Sequence, residues 1–265
     1  MALADDLIAA WELDEASGTR VDSHGSNDLS DNNTVGSGTG LVLGTAADFE
    51  RDNNESLSLA DNTDLSLGSD TAFTFEVWVK AESFEFSANS GMVINKGNVN
   101  GSGDEYLLWY GSSGGMEIAG WQLYVGNGSS SATVVGAPGS VTTGTWYQII
   151  VWHDPTANEI GIAVNAGTAV TASWSGGTQD TSHAFAIGNR SSGSGNGFDG
   201  LIGPARFWKG RALSGAERTE LYNSGSGRTY SYITGGGAGK VTKNTRARPL
   251  GKFLGMRRFL SKLGK

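Results

Sequence analysis

Phe73-Thr74-Phe75-Glu76-Val77-Trp78-Val79-Lys80 alternates apolar and polar side chains with a period of two. Successive side chains of an extended chain point to opposite faces, so Phe73, Phe75, Val77 and Val79 share one face and Thr74, Glu76, Trp78 and Lys80 the other. The pattern predicts a half-buried strand whose polar side is interrupted by Trp78. Outward from it, apolar or alternating segments recur at residues 7–13, 56–59, 92–96, 106–110, 121–125, 146–153, 159–164, 169–174, 184–187 and 201–208, separated by turn-rich stretches. Pro155 and Asn158 close a hairpin between two of these segments, and Asn165-Ala166-Gly167 turns into the next. Only residues 214–223 read as helix. Ser214 is placed to cap it, Glu217 stands at the capping-box spacing, and Leu213, Glu217 and Leu221 repeat every four residues. The expectation is an all-β chain folded as a two-sheet antiparallel β-sandwich of the jelly-roll type, with one short helix.

Composition agrees. The chain has 265 residues, 38% hydrophobic, with 41 Gly, 4 Pro and no Cys, which suits many short strands in one large sandwich and rules out disulfides and thiolate metal sites. Met1-Ala2-Leu3-Ala4-Asp5-Asp6 offers neither a basic n-region nor an apolar run, so export by a cleaved signal is not expected, and no stretch approaches the roughly 18 apolar residues of a membrane span. Charge divides the chain. From residue 235 onward there are nine basic residues and no acid, which against a formal net charge of -8 leaves -17 on residues 1–234. The glycine-rich stretch 235–239 coincides with this switch and reads as a linker. The organisation expected is therefore a sandwich domain over 1–234 and a basic C-terminal extension over 235–265, with different partners.

Four stretches together resemble the laminin-G-like and pentraxin-like branch of the concanavalin A-like lectin superfamily. They are Ala9-Ala10-Trp11-Glu12-Leu13-Asp14-Glu15 with residues 22–28 behind it, the strand at 73–80, Thr145-Trp146-Tyr147 opening the hairpin, and Phe198-Asp199-Gly200-Leu201-Ile202-Gly203 running on to the helix. The resemblance implies two opposed sheets in a concanavalin A-like jelly roll, with ligands held by loops at one rim or on the concave face. It also implies acidic calcium ligands before Phe198, where this chain has Gly188-Asn189-Arg190-Ser191-Ser192-Gly193-Ser194-Gly195-Asn196-Gly197 and no carboxylate.

Chemistry-bearing patterns are few. A glycosidase on such a sandwich needs carboxylates at alternate strand positions, and the spacing Glu-x-Asp-x-x-Glu is absent. His24, His153 and His183 lie on separate segments with no metal-site spacing, and no glycine-rich loop ends in a phosphate-binding Lys-Ser/Thr. Structural calcium is the cofactor to consider, because it takes oxygen ligands from loops; Asp22, Asn27 and Asp28 are the candidate ligands, with Asp48, Asp199 and Asp14 within reach of neighbouring strands. Trp109 and Tyr110 precede a Gly/Ser loop, and an exposed aromatic beside amide and guanidinium donors is a common way to stack and fix a sugar. The candidate ligand set is Trp109, Tyr110, Asn189, Arg190 and Asn196. In the extension, Phe253, Met256, Leu260 and Leu263 fall at helical spacing, Phe259 widens that face, and Arg257 and Arg258 add charge. This segment reads as partner-docking, ahead of membrane or nucleic-acid contact.

The function expected is a non-enzymatic recognition or adhesion module. Its rim loops would bind a glycan or a protein surface, and its basic extension would fasten it to a larger assembly such as a virion, as a decoration or fibre protein, with homo-oligomers open. A carbohydrate-active enzyme or its carbohydrate-binding module, and a purely structural protein, are the alternatives.

Overall fold

The computed structural model describes residues 1–84, 91–98, 103–111, 120–136, 139, 141–190 and 197–236. Asn196 and the docking residues Phe253, Met256, Arg257, Arg258, Phe259, Leu260 and Leu263 lie outside the described residues. One sheet has the order β13 (Val170–Ser173), β12 (Glu159–Val164), β11 (Tyr147–Asp154), β6 (Phe73–Ala81), β15 (Gly200–Lys209), β4 (Thr45–Phe49) and β3 (Gly36–Thr39), with β1 (Leu7–Trp11) also paired to β15. The other runs β10 (Ser131–Gly136), β9 (Gly120–Gly126), β8 (Tyr106–Gly111), β7 (Met92–Lys96), β14 (Phe185–Ile187), β5 (Ser56–Leu59) and β2 (Ser30–Asn32). The strand pairs in both are antiparallel. The two-sheet antiparallel sandwich expected from the alternation is what the chain forms.

The main core lies between the sheets. Phe73, Phe75, Val77 and Val79 of β6 meet Tyr106, Leu108, Trp121 and Leu123 of the opposite sheet, and Trp11 stacks on Phe185 with ring centroids 5.3 Å apart. Residues 147–164 form the expected hairpin. Its turn is held by the Asp154 carboxylate, which accepts from the N–H groups of Thr156 and Ala157 at 2.9 and 3.2 Å.

The other face of β6 departs from the half-buried expectation, since Thr74, Glu76 and Trp78 are all buried. The chain after β15 returns across this face and makes a third layer. Thr74 Oγ1 donates to the Arg211 carbonyl and accepts from the Leu213 N–H, and the Trp78 ring stacks on Tyr222 at 5.9 Å. Beneath helix α1 (Gly215–Tyr222), a second apolar cluster gathers Leu3, Leu7, Ile150, Trp152, Trp208, Leu213, Leu221 and Ile233. The helix starts as its sequence predicts, with Ser214 and Glu217 forming a complete capping box, and it ends at Asn223 in the left-handed region.

A buried charge cluster fixes this third layer. Arg206, fully buried, donates through Nη1 to Glu76 at 2.8 Å and through Nη2 to Glu12 at 2.8 Å and to the Arg228 carbonyl at 2.6 Å. Gln148 Nε2 donates to the other Glu76 oxygen at 2.7 Å. Burial alone would weaken the guanidinium's hold on its proton, but Glu76 and Glu12 outweigh it and raise the arginine above its ordinary range. No helix among the described residues is long and apolar enough to cross a membrane.

Candidate ligand-binding face

Period-two alternation along β8 sends Tyr106, Leu108 and Tyr110 into the core and Leu107 and Trp109 to the outer face of the seven-stranded sheet. Cross-strand register extends that face on both sides. Trp109 stands opposite Met92 of β7 and Gln122 of β9, while Leu107 stands opposite Asn95 and Tyr124. Met92 also bridges to Gly197, where a Cβ would come within 3.3 Å of Asn189 Nδ2. Asn189 is brought there by β14, since the Gly188 N–H after that strand donates to the Val93 carbonyl at 3.0 Å. A row of Gln122, Trp109 and Met92 therefore crosses three strands, with neighbouring strands about 4.8 Å apart, and Asn189 comes beside Gly197 past its Met92 end. Arg190 follows, its N–H donating to Asn189 Oδ1 at 2.7 Å.

The floor is dry and its margin is not. Met92, Leu107, Trp109, Gln122 and Asn189 are buried, whereas Tyr124 and Arg190 are half-buried. On this floor Trp109 Nε1, Gln122 Oε1, Asn189 Nδ2 and, at the margin, Arg190 Nε have no hydrogen-bond partner. Gln122 Nε2 is held by the Gly111 carbonyl, which leaves its oxygen over. An unmet buried donor or acceptor costs about 1–3 kcal/mol, so each of these four atoms carries a desolvation cost that no hydrogen bond among the described residues offsets. Burial lowers the Arg190 pKa from the usual arginine range, with Asp104 opposing the shift. Burial likewise raises the Tyr124 phenol.

Trp109 thus lies on a buried sheet surface and not in the exposed loop the sequence suggested, with Asn189 and Arg190 following the end of β14. Tyr110 does not join them. One residue along the strand from Trp109, it points the opposite way and packs on Phe84 and Trp121 with centroids 4.1 and 5.1 Å away. Met92, Leu107, Gln122 and Tyr124 were not singled out by sequence. The signal was there: β8 and β9 each carry large side chains on both faces, so the outer face has apolar area of its own to cover.

A family profile described as the concanavalin A-like lectin/glucanases superfamily matches residues 51–217. The chain belongs to that superfamily. No curated protein matches it by sequence. Among solved structures, it is similar to domain 4 of AbnA, a GH43 extracellular arabinanase from Geobacillus stearothermophilus determined with arabinotriose. That match has 16% identity and a TM-score of 0.59, covering 82% of this chain and 98% of that one. It is also similar to the binding domain of Paraclostridial Mosquitocidal Protein 1, at 14% identity and TM-score 0.64 over 84% of this chain and 53% of that one. The botulinum neurotoxin serotype D ligand-binding domain, determined with N-acetylneuraminic acid, matches at 10% identity and TM-score 0.58 over 84% and 52%. The chain therefore spans about half of each toxin domain and nearly all of the arabinanase domain. At these identities the likeness is one of fold.

The calcium ligands proposed for this concanavalin A-like chain are engaged otherwise. Asp22 Oδ1 accepts from the N–H groups of Ala10 and His24 at 2.9 and 3.0 Å, and Oδ2 accepts from the backbone and side-chain nitrogens of Asn27 at 3.0 and 3.2 Å. Asn27 Oδ1 in turn accepts from Asn62, and Asp28 Oδ1 accepts from the Asp22 N–H at 2.8 Å. Each Asp22 oxygen accepts two N–H donors and so has both lone pairs taken, which makes Asp22 a turn anchor, whereas Asn27 Oδ1 and Asp28 Oδ1 each accept one. Burial would raise the Asp22 pKa, but the backbone N–H groups of Ala10, Gly25, His24 and Asn27 outweigh it and hold the carboxyl below the usual range. Asp48 and Asp199 lie elsewhere. Among the described residues, Asp48, Glu50 and Glu82 bring oxygens within 4.8 Å of one another, as do Asp61, Glu105 and Asp180. The first set has the oxygen donors a hard cation takes, and burial together with neighbouring acids such as Asp199 raises the pKa of Asp48 and Glu50. The second already has a cation, the Lys96 ammonium, at 2.7 Å from Asp61 and 3.3 Å from Glu105.

Proposed function

We propose that the protein is a non-enzymatic carbohydrate-binding module whose ligand lies along the outer face of β7, β8 and β9. The observation that carries this is the gathering of Trp109, Leu107, Met92 and Gln122 on the outer face with the half-buried Tyr124 at its margin, since aromatic area with a few polar groups is what a sugar site requires. Support also comes from structural neighbours described as binding domains or determined with saccharides. The enzyme alternative needs a pair of carboxylates flanking the bond to be cleaved, and β7, β8 and β9 contain no Asp or Glu. Tyr124→Ala removes the half-buried aromatic area at the margin of this face. It is expected to weaken glycan affinity about tenfold by calorimetry, roughly 1.4 kcal/mol. A wild-type protein that binds nothing on a broad glycan array overturns the proposal.

The basic extension serves a second purpose in this reading, attachment to a larger assembly such as a virion. The polarity of the chain favours it, nine positive charges following a body of -17. Protein truncated after residue 236 is expected to keep its glycan affinity and to disappear from the assembly on electron microscopy and blotting. Unchanged incorporation refutes the attachment.

A further inference from the structure

The edge strands β10 and β13, one from each sheet, lie beside one another, and an open cleft of about 410 Å³ sits at one end of this seam. Ser130, Asn158, Ser173, Trp174, Ser175 and Gly176 line it. The volume falls within the range of about 300–1,000 Å³ usual for small-ligand sites. Three separate loops meet there, and hydrogen bonds pin each of them. Asn127 Oδ1 accepts from the Ser130 N–H at 2.8 Å, and Asn127 Nδ2 donates to the Gly176 carbonyl at 2.6 Å. The Trp174 N–H donates to the Asn158 carbonyl at 2.7 Å, and its Nε1 donates to the Gly177 carbonyl at 2.8 Å. The indole is thereby fixed against the main core, and the residue, 8% exposed, supplies the aromatic part of the lining.

The polar part of the lining is open to solvent. Ser130, Asn158, Ser173 and Ser175 are exposed, and the side chains of Asn158, Ser173 and Ser175 make no hydrogen bond among the described residues. Hydroxyls and a carboxamide each donate and accept, as sugar hydroxyls do. No charged side chain lines the cleft, so an anion would find no cation there, in a body carrying -17. We propose that the cleft is a second saccharide site, taking one end of a neutral sugar with an apolar ring face against Trp174 and hydroxyls on Asn158, Ser173 and Ser175. The site goes beyond the outer-face reading and does not rest on it, because none of its lining residues belongs to β7, β8 or β9.

Amide NMR spectra of the full chain, titrated into the millimolar range with xylotriose, maltotriose, arabinotriose and sialyllactose, test this. At least one of the three neutral probes is expected to shift the amides of residues 128–130, 157–158 and 173–176 together, and to bind more tightly than sialyllactose. Asn158→Gly removes the carboxamide and keeps the left-handed backbone at φ 52. That variant, and the double variant Ser173→Ala with Ser175→Ala, should each lower the affinity about fivefold or more with little change in melting temperature. Tyr124→Ala should leave the cleft shifts in place. Shifts confined to residues of β7, β8 and β9 overturn the second site and leave the outer-face reading standing. Cleft shifts that survive both variants overturn the assigned contacts, and tighter binding of sialyllactose overturns the neutral class. No shift with any probe overturns the second site, and the outer-face reading falls with it only if the glycan array is silent as well.

Discussion

Glu76→Ala is expected to lower stability by about 3–5 kcal/mol, seen as a fall in melting temperature of roughly 10 °C. Glu76 shares its two oxygens between Arg206 Nη1 and Gln148 Nε2, all of them buried. Its removal strands a desolvated guanidinium whose remaining acid, Glu12, lies at the margin of the cluster. The cost comes from the orphaned charge and not from any large net value of the ion pair. A double variant, Glu76→Leu with Arg206→Met, should for that reason recover most of the loss. Glu76→Ala melting within about 1 °C of wild type would mean that water reaches Arg206 and that the third layer over β6 does not seal in solution.

Asp22→Asn should cost about 3 kcal/mol near neutral pH, because the amide places a donor where backbone N–H groups need acceptors and removes the charge they surround. The pH dependence has a definite sign. The carboxyl titrates lower in the folded chain than in the unfolded one, so its contribution is present above the unfolded value and is lost as pH falls through the folded value. The gap in melting temperature between wild type and Asp22→Asn is therefore expected to be wide at pH 6 and to close below about pH 4. Calcium added at pH 6 should leave that gap unchanged. A calcium-dependent rise confined to wild type would restore Asp22 as a metal ligand.

Elements that bury one whole face announced themselves in the sequence. The alternation at 73–80, the hairpin over 147–164 and the Ser214–Glu217 box all state local rules that tertiary packing then obeys. The Phe198-Asp199-Gly200 stretch is another case: Gly200 has φ +130, and a Cβ there would stand 2.3 Å from the Lys80 carbonyl, so only glycine lets β15 close on β6. The strands that escaped notice, β2, β3, β4 and β10, are short or exposed and rich in Ser, Gly, Thr, Ala or Asp, and they gain their conformation from a neighbour's ladder. The burial of Glu76 and Trp78 was equally invisible, since it depends on a segment more than 130 residues later folding back.

The candidate site was half legible. Residue type drew attention to Trp109, Asn189 and Arg190, and no local rule says that β14 brings Asn189 to the end of the Trp109 row. Tyr110 was misplaced by reading two adjacent aromatics as one loop surface when a strand must separate them. For Asp22, the sequence displays oxygen atoms but hides the amide hydrogens that surround them.

The last described turn of the chain, with Ile233 seated among Trp208 and Leu221, lies against the eight-stranded sheet, while Trp109 looks outward from the other sheet. The last described turn and the Trp109 face are thus on opposite flanks, two β-layers about 10 Å apart between them. A pull between these two flanks would run through the thickness of the sandwich, loading the packed aromatic interior before it could unzip an edge strand.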